Sequence, residues 1–214
     1  MTKRQQPQSL HKSQEAGYTI IESLVAMIVV SVLMMAIAPV MAFSVATRVQ
    51  AKRIEMATQA SKTYIDGLRS GAIKQATNGF PDQSPTGNLL EDTPPPGSIN
   101  DLYCIDKDGD QMCTAGSNQD LVVQGYYYNN LPPTTNPAKT GYSLIVRVYR
   151  ANSFASGVGA LTTQKALQAQ QGITSSGLGN LRAPLVEMRT EIGATDREGA
   201  YDNFCDRLGA TGCK

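Results

Sequence analysis

The stretch GYTIIESLVAMIVVSVLMMAIAP, residues 17–39, decides the fold of this chain of 214 residues. The uncharged run 23–46 begins inside this stretch. An α-helix that rises about 1.5 Å per residue over such a run crosses the hydrocarbon core of a membrane, which is about 30 Å thick. Lys3, Arg4 and Lys12 precede the run. Because basic residues stay on the cytoplasmic side, we expect the rest of the chain to be exported.

Other export signals fit this segment poorly. An ordinary secretory signal has a shorter apolar stretch, which is followed by a small-residue cleavage site. A lipoprotein signal needs a cysteine directly after the apolar stretch, whereas the first cysteine here is Cys104.

Glu22 and Pro39 distinguish the segment from a simple membrane anchor. Glu22 lies at the cytoplasmic edge of the apolar run, where a carboxylate costs free energy unless it has a partner. Pro39 removes one backbone hydrogen bond inside the predicted helix. The simpler interpretation is that Glu22 extends to the membrane interface and that Pro39 is a tolerated kink.

Taken together, these positions match a known pattern. The segment AGYTIIESLVAMIVVSVLMMAIAP, residues 16–39, resembles the class III signal of type IV pilins and of type II secretion pseudopilins. That family has a basic leader that ends in Gly, an aromatic first mature residue, Glu at mature position five and often Pro at position 22. Gly17, Tyr18, Glu22 and Pro39 occupy these positions. Two departures are Tyr18 in place of the usual Phe and a leader that is longer than in many members.

The resemblance implies a mechanism and a set of partners. A membrane prepilin peptidase would cut after Gly17 and methylate the new amino group of Tyr18. Glu22 of an incoming subunit would then pair with the Tyr18 amine of a neighbouring subunit, and Pro39 would be a weak point of the helix. The implied partners are this peptidase, other pilin or pseudopilin subunits, the inner-membrane assembly platform and the membrane itself.

The resemblance also implies a location and an α+β fold. The precursor would cross the inner membrane once, with its leader cytoplasmic and its head periplasmic, before it enters a pilus or pseudopilus. A long N-terminal helix would pack on a small antiparallel β-sheet head with long loops. The predicted division is a leader at 1–17, a helix at 18–78 (membrane-spanning about 23–46, amphipathic 47–76), a loop-rich connection at 79–120 and a head at 121–214.

Periodicity supports these elements. Small or apolar residues recur at Ala57, Ala60, Tyr64, Leu68 and Ala72, with the three-to-four spacing of an amphipathic helix. The sequence at 78–81, Asn-Gly-Phe-Pro, predicts its end. Alternating apolar residues predict three strands, at Leu121–Tyr128, Tyr142–Arg150 and Pro184–Ile192. A short helix is also predicted at Ala160–Gln171.

Four cysteines form two local pairs in sequence, Cys104 with Cys113 and Cys205 with Cys213. In an exported chain, this even number predicts two disulfides, for which three connectivities are formally open and sequential pairing is the simplest. Zinc binding usually needs tighter spacing, and the single histidine, His11, lies in the leader. The segment 200–214 resembles the disulfide-bounded C-terminal loop of many pilins.

An acidic loop is the one candidate for metal binding. Asp106, Asp108 and Asp110 have the one-three-five spacing of a calcium loop. A full EF-hand is excluded because Gln111 replaces the turn glycine and Ser117 replaces the bidentate Glu. The alternatives are a solvated acidic turn and a calcium site completed by water and backbone oxygens; no other cofactor is expected.

Neither an enzyme nor a nucleic-acid-binding protein is expected. The mature chain would have no histidine, and the sequence contains neither a phosphate-binding glycine loop nor the motif G-x-S-x-G. A formal net charge of +1 is too small for electrostatic binding of nucleic acid.

The expected function is that of a structural subunit, a minor pilin or pseudopilin. The segments VRVYR and PLVEMRTEI, and the Gly/Gln-rich stretch between them, resemble cyanobacterial pseudopilins of hormogonium polysaccharide secretion. This narrower resemblance implies support of polysaccharide secretion and surface motility. One alternative is a filament-tip adhesin or binding module, in which Tyr126, Tyr127 and Tyr128 could stack carbohydrate. The favoured interpretation of these three tyrosines is that they alternate between the core and the surface of a strand. Another is a single-pass membrane protein that never polymerises.

Overall fold

A computed structural model of the chain describes residues 19–75, 77–84, 92–129, 136–163, 180–195, 201 and 204–205. The chain divides into two compact units, residues 1–45 and residues 46–214. The second is called the globular unit below. The predicted α+β class is confirmed, since the described residues form one long helix and a small, mostly antiparallel sheet.

The described part of the first unit is helical and apolar. It belongs to helix α1, which runs Ile20–Arg69 and continues through Pro39. A window of 18 residues in α1 has a mean hydropathy of 2.7, and none of this window is buried. By length and composition, this segment fits a single-pass membrane anchor. The role of Pro39 as a weak point stays a prediction.

In the globular unit, α1 contributes one face to the core. Its buried residues include Ala57, Ala60, Tyr64 and Leu68, which recur every three or four positions as the sequence predicts. They pack with the apolar side chains of the sheet in one cluster. Burial of this stripe, rather than intrinsic helix propensity, therefore accounts for most of the stability of this part of α1.

The helix ends at Arg69, well before the predicted end at residue 78. Gly71 adopts the left-handed conformation, with a φ of 71°, and its N–H donates to the carbonyl of Leu68 at 3.2 Å. The chain then folds back, so that the N–H of Ile73 donates to the carbonyl of Gly67 at 3.1 Å. Glycine adopts this conformation without steric cost, so Gly71 closes the helix before the Asn-Gly-Phe-Pro segment is reached.

In the part of the chain that the structure describes, five strands form one sheet, in which β1, β3, β4 and β5 follow in that order and β2 also pairs with β3. All pairings are antiparallel except that of β1 with β3. A short helix, α2, precedes β4 and is capped by the side chain of Asn136, which accepts from the N–H of Ala138. The bounds are β1 Asp82–Gln83, β2 Tyr103–Ile105, β3 Leu121–Tyr128, α2 Pro137–Thr140, β4 Tyr142–Arg150 and β5 Val186–Ile192.

The two longest strands agree with their predicted bounds, whereas the others differ. β5 begins at Val186 rather than Pro184. β1 and β2 lie in the region predicted as an irregular connection, and they are too short to show a period in sequence. Of the predicted helix Ala160–Gln171, residues 161–163 are not helical and the rest lies outside the described residues.

Strand β3 passes very close to α1 at Gly125. A Cβ atom at this position would lie 2.5 Å from the Oη atom of Tyr64 and 2.9 Å from the Cβ atom of Pro81. The absence of a side chain lets the hydroxyl of Tyr64 donate to the carbonyl of Gly79 at 2.7 Å inside the core. Gly125 is therefore required by close packing between helix and strand.

The opposite face of the sheet buries a charged side chain. Arg147 on β4 lies opposite Glu187 on β5, and its Nε atom is 2.8 Å from the Oε2 atom of Glu187. Its Nη1 atom donates to the carbonyl and to the hydroxyl of Thr93, both at 2.9 Å. The Arg147 side chain is 1% exposed. This ion pair ties two strands and the segment that carries Thr93 together.

Buried tyrosines make the globular unit sensitive to alkali. Burial raises the pKa of Tyr64, Tyr142 and Tyr149 above the ordinary value of 10.0. An unfolded chain ionises these groups near pH 10 while the folded chain keeps them neutral, so their stabilising contribution is complete below pH 10 and is lost above it. Arg150 acts in the opposite direction, because burial lowers its pKa to about 10. The combined effect of the three tyrosines on the free energy of unfolding exceeds the opposite effect of Arg150.

We therefore expect the free energy of unfolding to fall between about pH 10 and pH 12, with each tyrosine contributing up to about 1.4 kcal/mol per pH unit. Urea unfolding of the full-length chain in detergent at pH 8, 10 and 11 measures this slope. Tyr149→Phe is the matched variant and should flatten the slope, because it removes one ionisable group while it keeps the ring. A free energy of unfolding that rises between pH 8 and pH 11 would contradict the prediction.

Candidate functional site

The acidic loop connects the end of β2 to the start of β3. The antiparallel register pairs Ile105 with Leu121. Asp106 and Asp120 are the next residues on the two strands, so the register places them opposite each other where the strands separate. The loop therefore begins and ends with a carboxylate.

Asp106 organises the first turn of this loop. Its Oδ1 atom accepts from the N–H of Gly109 at 2.6 Å, and its Oδ2 atom accepts from the N–H of Gln111 at 2.7 Å. These backbone hydrogen bonds lower the pKa of Asp106 below its ordinary value. The Asp106 carboxylate is therefore held in its charged form.

Gln111 occupies the position at which an EF-hand turns on glycine, and it adopts a φ of 67°. This left-handed conformation is uncommon for a residue with a side chain. The tight turn therefore forms here without glycine. Ser117 occupies the position at which an EF-hand has a bidentate Glu. Its hydroxyl donates to the Oδ2 atom of Asp108 at 2.9 Å, so this position supplies no carboxylate.

Asp120, at the end of the acidic loop, is fully buried, with 1% of its surface exposed. Its Oδ1 atom accepts from the backbone N–H of Lys107 at 2.9 Å. Its Oδ2 atom is buried and has no hydrogen-bond partner among the described residues. The sequence-based prediction did not include this residue.

Asp106, Asp108 and Asp120 each place one carboxylate oxygen within 4.8 Å of the other two. Asp110, the third predicted ligand, does not belong to this group; its Oδ1 atom accepts from the N–H of Met112 at 2.8 Å. None of the three grouped carboxylates forms an ion pair within the described ranges. The structure thus brings together two of the predicted residues and a third that lies ten residues beyond Asp110 in sequence.

A disulfide closes the first part of the loop. Cys104 and Cys113 are bonded, with 5.7 Å between their Cα atoms, as the local pairing predicts. Cys205 is also disulfide-bonded, and Cys213 lies outside the described residues. The bond between Cys104 and Cys113 links the last strand residues before the acidic turn to the residues that follow it, which limits the conformations open to the loop.

The three consecutive tyrosines at the end of β3 do not form one exposed aromatic face. Tyr127 is 5% exposed, and its ring centroid lies 5.5 Å from that of Tyr142 and 6.2 Å from that of Phe80. Tyr126 and Tyr128 are half-buried on the other face of the strand. The predicted alternation of these tyrosines between core and surface is therefore confirmed, and a carbohydrate-stacking platform made of all three rings is excluded.

At the other end of the chain, the predicted cleavage residues Gly17 and Tyr18 lie outside the described residues. The description begins with Thr19, whose Oγ1 atom accepts from the N–H of Glu22 at 3.3 Å. The carbonyl of Thr19 also accepts from the N–H of Glu22 at 3.0 Å. Thr19 thus caps helix α1, and Glu22 lies in its first turn, where the helix dipole favours a negative charge.

The first turns of α1 are exposed on all sides. Glu22 is exposed and forms no ion pair within the described part of the chain. Ile20 is 87% exposed and Ile21 is 71% exposed. An apolar helix surface of this kind requires lipid or a partner helix to cover it, and its single carboxylate requires a partner in either setting.

Comparison with known families supports this interpretation of the N-terminal segment. Residues 12–38 match the model of the prokaryotic N-terminal methylation motif. The chain carries a prokaryotic N-terminal methylation motif. The matched range includes Gly17, Tyr18 and Glu22, and Pro39 lies directly after it. Comparisons with curated proteins and with solved structures give no significant match.

The methylation motif supports a type IV pilin-like subunit and, in general terms, processing by a prepilin peptidase and assembly with other pilin subunits. Two residues near the candidate sites were missed in sequence. The role of Thr19 could have been predicted, since Thr-x-x-Glu at 19–22 is the capping-box pattern of a helix N-terminus. No local sequence pattern could have identified Asp120, because its approach to Asp106 depends on the pairing of β2 with β3.

Proposed function

We propose that the chain is a structural subunit, a minor pilin or pseudopilin, of a filament of the type IV pilus or type II secretion kind. The observation that carries this proposal is the coincidence of the methylation motif at 12–38 with a helix whose first turn bears the exposed carboxylate of Glu22. In a plain membrane anchor, the helix N-terminus and the membrane interface would only tolerate this carboxylate, whereas a filament also gives it a charged partner.

The proposed assembly contact joins Glu22 to the Tyr18 amine of a neighbouring subunit. Cleavage after Gly17 creates this amine, so the contact forms only with processed subunits. In an apolar environment, two opposite charges attract strongly, whereas an unpaired carboxylate is costly. The pairing therefore favours one register between neighbouring helices, and the inner-membrane platform would supply subunits in that order.

The filament is further proposed to support secretion, with polysaccharide as the cargo, and surface motility. Support for this cargo comes from the resemblance of the segments VRVYR and PLVEMRTEI, in β4 and around β5, to pseudopilins of polysaccharide secretion. In this role the chain is not an enzyme and has no nucleic-acid partner. Its globular unit would lie outside the cytoplasm, where its disulfides are stable.

Expression of the chain together with a prepilin peptidase tests the proposal. We expect mass spectrometry to show a mature N-terminus at Tyr18 that carries one methyl group, with residues 1–17 removed. Replacement of Gly17 by Val should abolish processing, because the branched side chain blocks close approach of the protease to the backbone.

Gly97→Val is the matched control for Gly17→Val. Among the described residues, no heavy atom beyond the chain neighbours of Gly97 lies within 4 Å of a Cβ built at this position, so the added side chain meets none of them. This variant should be processed like the unmodified chain. A chain that keeps residues 1–17 in the presence of an active peptidase would contradict the proposal and support a plain membrane protein.

A further inference from the structure

We propose that Asp106, Asp108 and Asp120 form a calcium-binding site in the globular unit. The proposal concerns a different part of the molecule from the processing junction and stands without the proposed filament function. It replaces the ligand set read from the one-three-five spacing, since Asp120 takes the place of Asp110.

The buried carboxylate of Asp120 is the first observation. Its Oδ2 atom has no hydrogen-bond partner among the described residues, and only 1% of the residue surface is exposed. Burial of a polar atom without a partner costs free energy, and a buried charge costs more. A cation between Asp120 and the neighbouring carboxylates supplies the missing partner.

The arrangement of charge is the second observation. Three carboxylate oxygens lie within 4.8 Å of one another, and none of the three residues forms an ion pair with the described part of the chain. The contact between Asp120 and Lys107 uses the backbone N–H, not the ammonium group. Like charges at this separation repel, and a divalent cation converts that repulsion into attraction.

The donor atoms select a hard cation. All three side chains offer oxygen, Cys104 and Cys113 are bonded to each other, and the single histidine is His11, 95 residues before Asp106 in sequence. Zinc therefore lacks its usual sulfur and nitrogen ligands.

Calcium fits better than magnesium among hard cations. Calcium accepts an irregular set of oxygens at about 2.4 Å, so two of its ligands lie up to about 4.8 Å apart. Magnesium requires near-octahedral ligands at about 2.1 Å. The exposed side of Asp108 leaves room for water molecules to complete the coordination shell.

Bound calcium would join the end of β2, the disulfide loop and the start of β3. Three carboxylates, with no bidentate Glu, resemble the weaker extracellular sites, for which dissociation constants are about 10⁻⁴ to 10⁻³ M. We expect this range. At a calcium concentration about ten times the Kd, the melting temperature of the globular unit should rise by about 4 °C.

The test is isothermal titration of the full-length chain in detergent with calcium, and then with magnesium. Asp108→Asn removes an exposed ligand charge, and Asp120→Asn removes the buried charge while it keeps an oxygen to accept from Lys107. Each change should weaken calcium binding at least about tenfold. Asp110→Asn is the matched control in the same loop, and it should leave the Kd within about twofold.

The outcomes separate cleanly. Absence of calcium binding by the unmodified chain overturns the site. If Asp110→Asn and Asp108→Asn weaken calcium binding equally, the proposed ligand set is wrong. The one-three-five set Asp106, Asp108 and Asp110 is then supported instead. If Asp120→Asn does not fold, the comparison of Asp108→Asn with Asp110→Asn decides alone. Processing at Tyr18 is unaffected by any of these changes, so failure of the calcium site leaves the filament proposal untouched.

Discussion

Replacing Arg147 by alanine is expected to lower the free energy of unfolding of the globular unit by about 3–5 kcal/mol. Its guanidinium is buried against Glu187 and Thr93. Truncation leaves the carboxylate of Glu187, which is 14% exposed, without its cation, and it removes the donor to the carbonyl of Thr93. The loss reflects these stranded groups, since both are shielded from water.

Urea unfolding of the full-length chain in detergent, followed by near-UV circular dichroism of the tyrosines, measures this loss. Arg69→Ala is the matched control. Arg69 pairs with Asp66 at 4.0 Å, and the two side chains are 52% and 74% exposed, so this variant should lose no more than about 1 kcal/mol. Similar losses for the two variants would show that burial does not strengthen the Arg147 pair.

A double variant isolates the physical reason. Arg147→Met combined with Glu187→Gln removes both charges and keeps side chains of similar volume. It should recover a large part of the stability that Arg147→Met loses alone, because no buried charge is left unpaired. A double variant no more stable than Arg147→Met alone would assign the loss to the contact with Thr93 instead.

The burial of Arg147 shows where sequence-based prediction ends. Strand β4 was predicted with correct bounds because its apolar residues alternate locally. The alternation assigned no partner to Arg147. Its face is covered, and its partners Thr93 and Glu187 lie about 40 or more residues away in sequence. No local pattern encodes such contacts.

The same distinction separates the two candidate sites. The processing junction is contiguous, so residues 17–22 suffice to predict it and the methylation motif supports it. The acidic group depends on strand pairing, and the one-three-five spacing includes only Asp106 and Asp108 of its three members. The end of α1 shows a third case: the sequence at 78–81 predicts the end of the helix, whereas the left-handed conformation of Gly71 ends it earlier.

Replacing Glu22 by alanine is expected to leave cleavage after Gly17 intact and to reduce the chain in filaments at least about tenfold. The peptidase acts on the junction before assembly, whereas the carboxylate is proposed to act between subunits. Loss of a charge pair in an apolar setting strands the Tyr18 amine of the neighbour, and such a loss costs about 3–5 kcal/mol in protein interiors. A tenfold change corresponds to about 1.4 kcal/mol, so the expected reduction is a lower bound.

The measurement compares the chain in sheared filaments with the chain in membranes, in cells that also make the other subunits. Glu55→Ala is the matched control, because Glu55 is an exposed glutamate on the same helix but lies within the globular unit. It should enter filaments normally. Glu22→Asp keeps the charge on a shorter side chain and should retain part of the assembly, since it can still approach the amine.

Processing and assembly must be scored on the same samples, because each outcome carries a different meaning. A Glu22→Ala chain that is methylated at Tyr18 but missing from filaments supports the charge pair. The same chain entering filaments at the normal level would remove the charge pair from the mechanism and leave apolar packing of the exposed residues of α1 as the assembly force. Apolar packing alone does not select one axial register between neighbouring helices that are apolar on all sides. Contacts between the globular units would then have to fix the positions of the subunits in the filament.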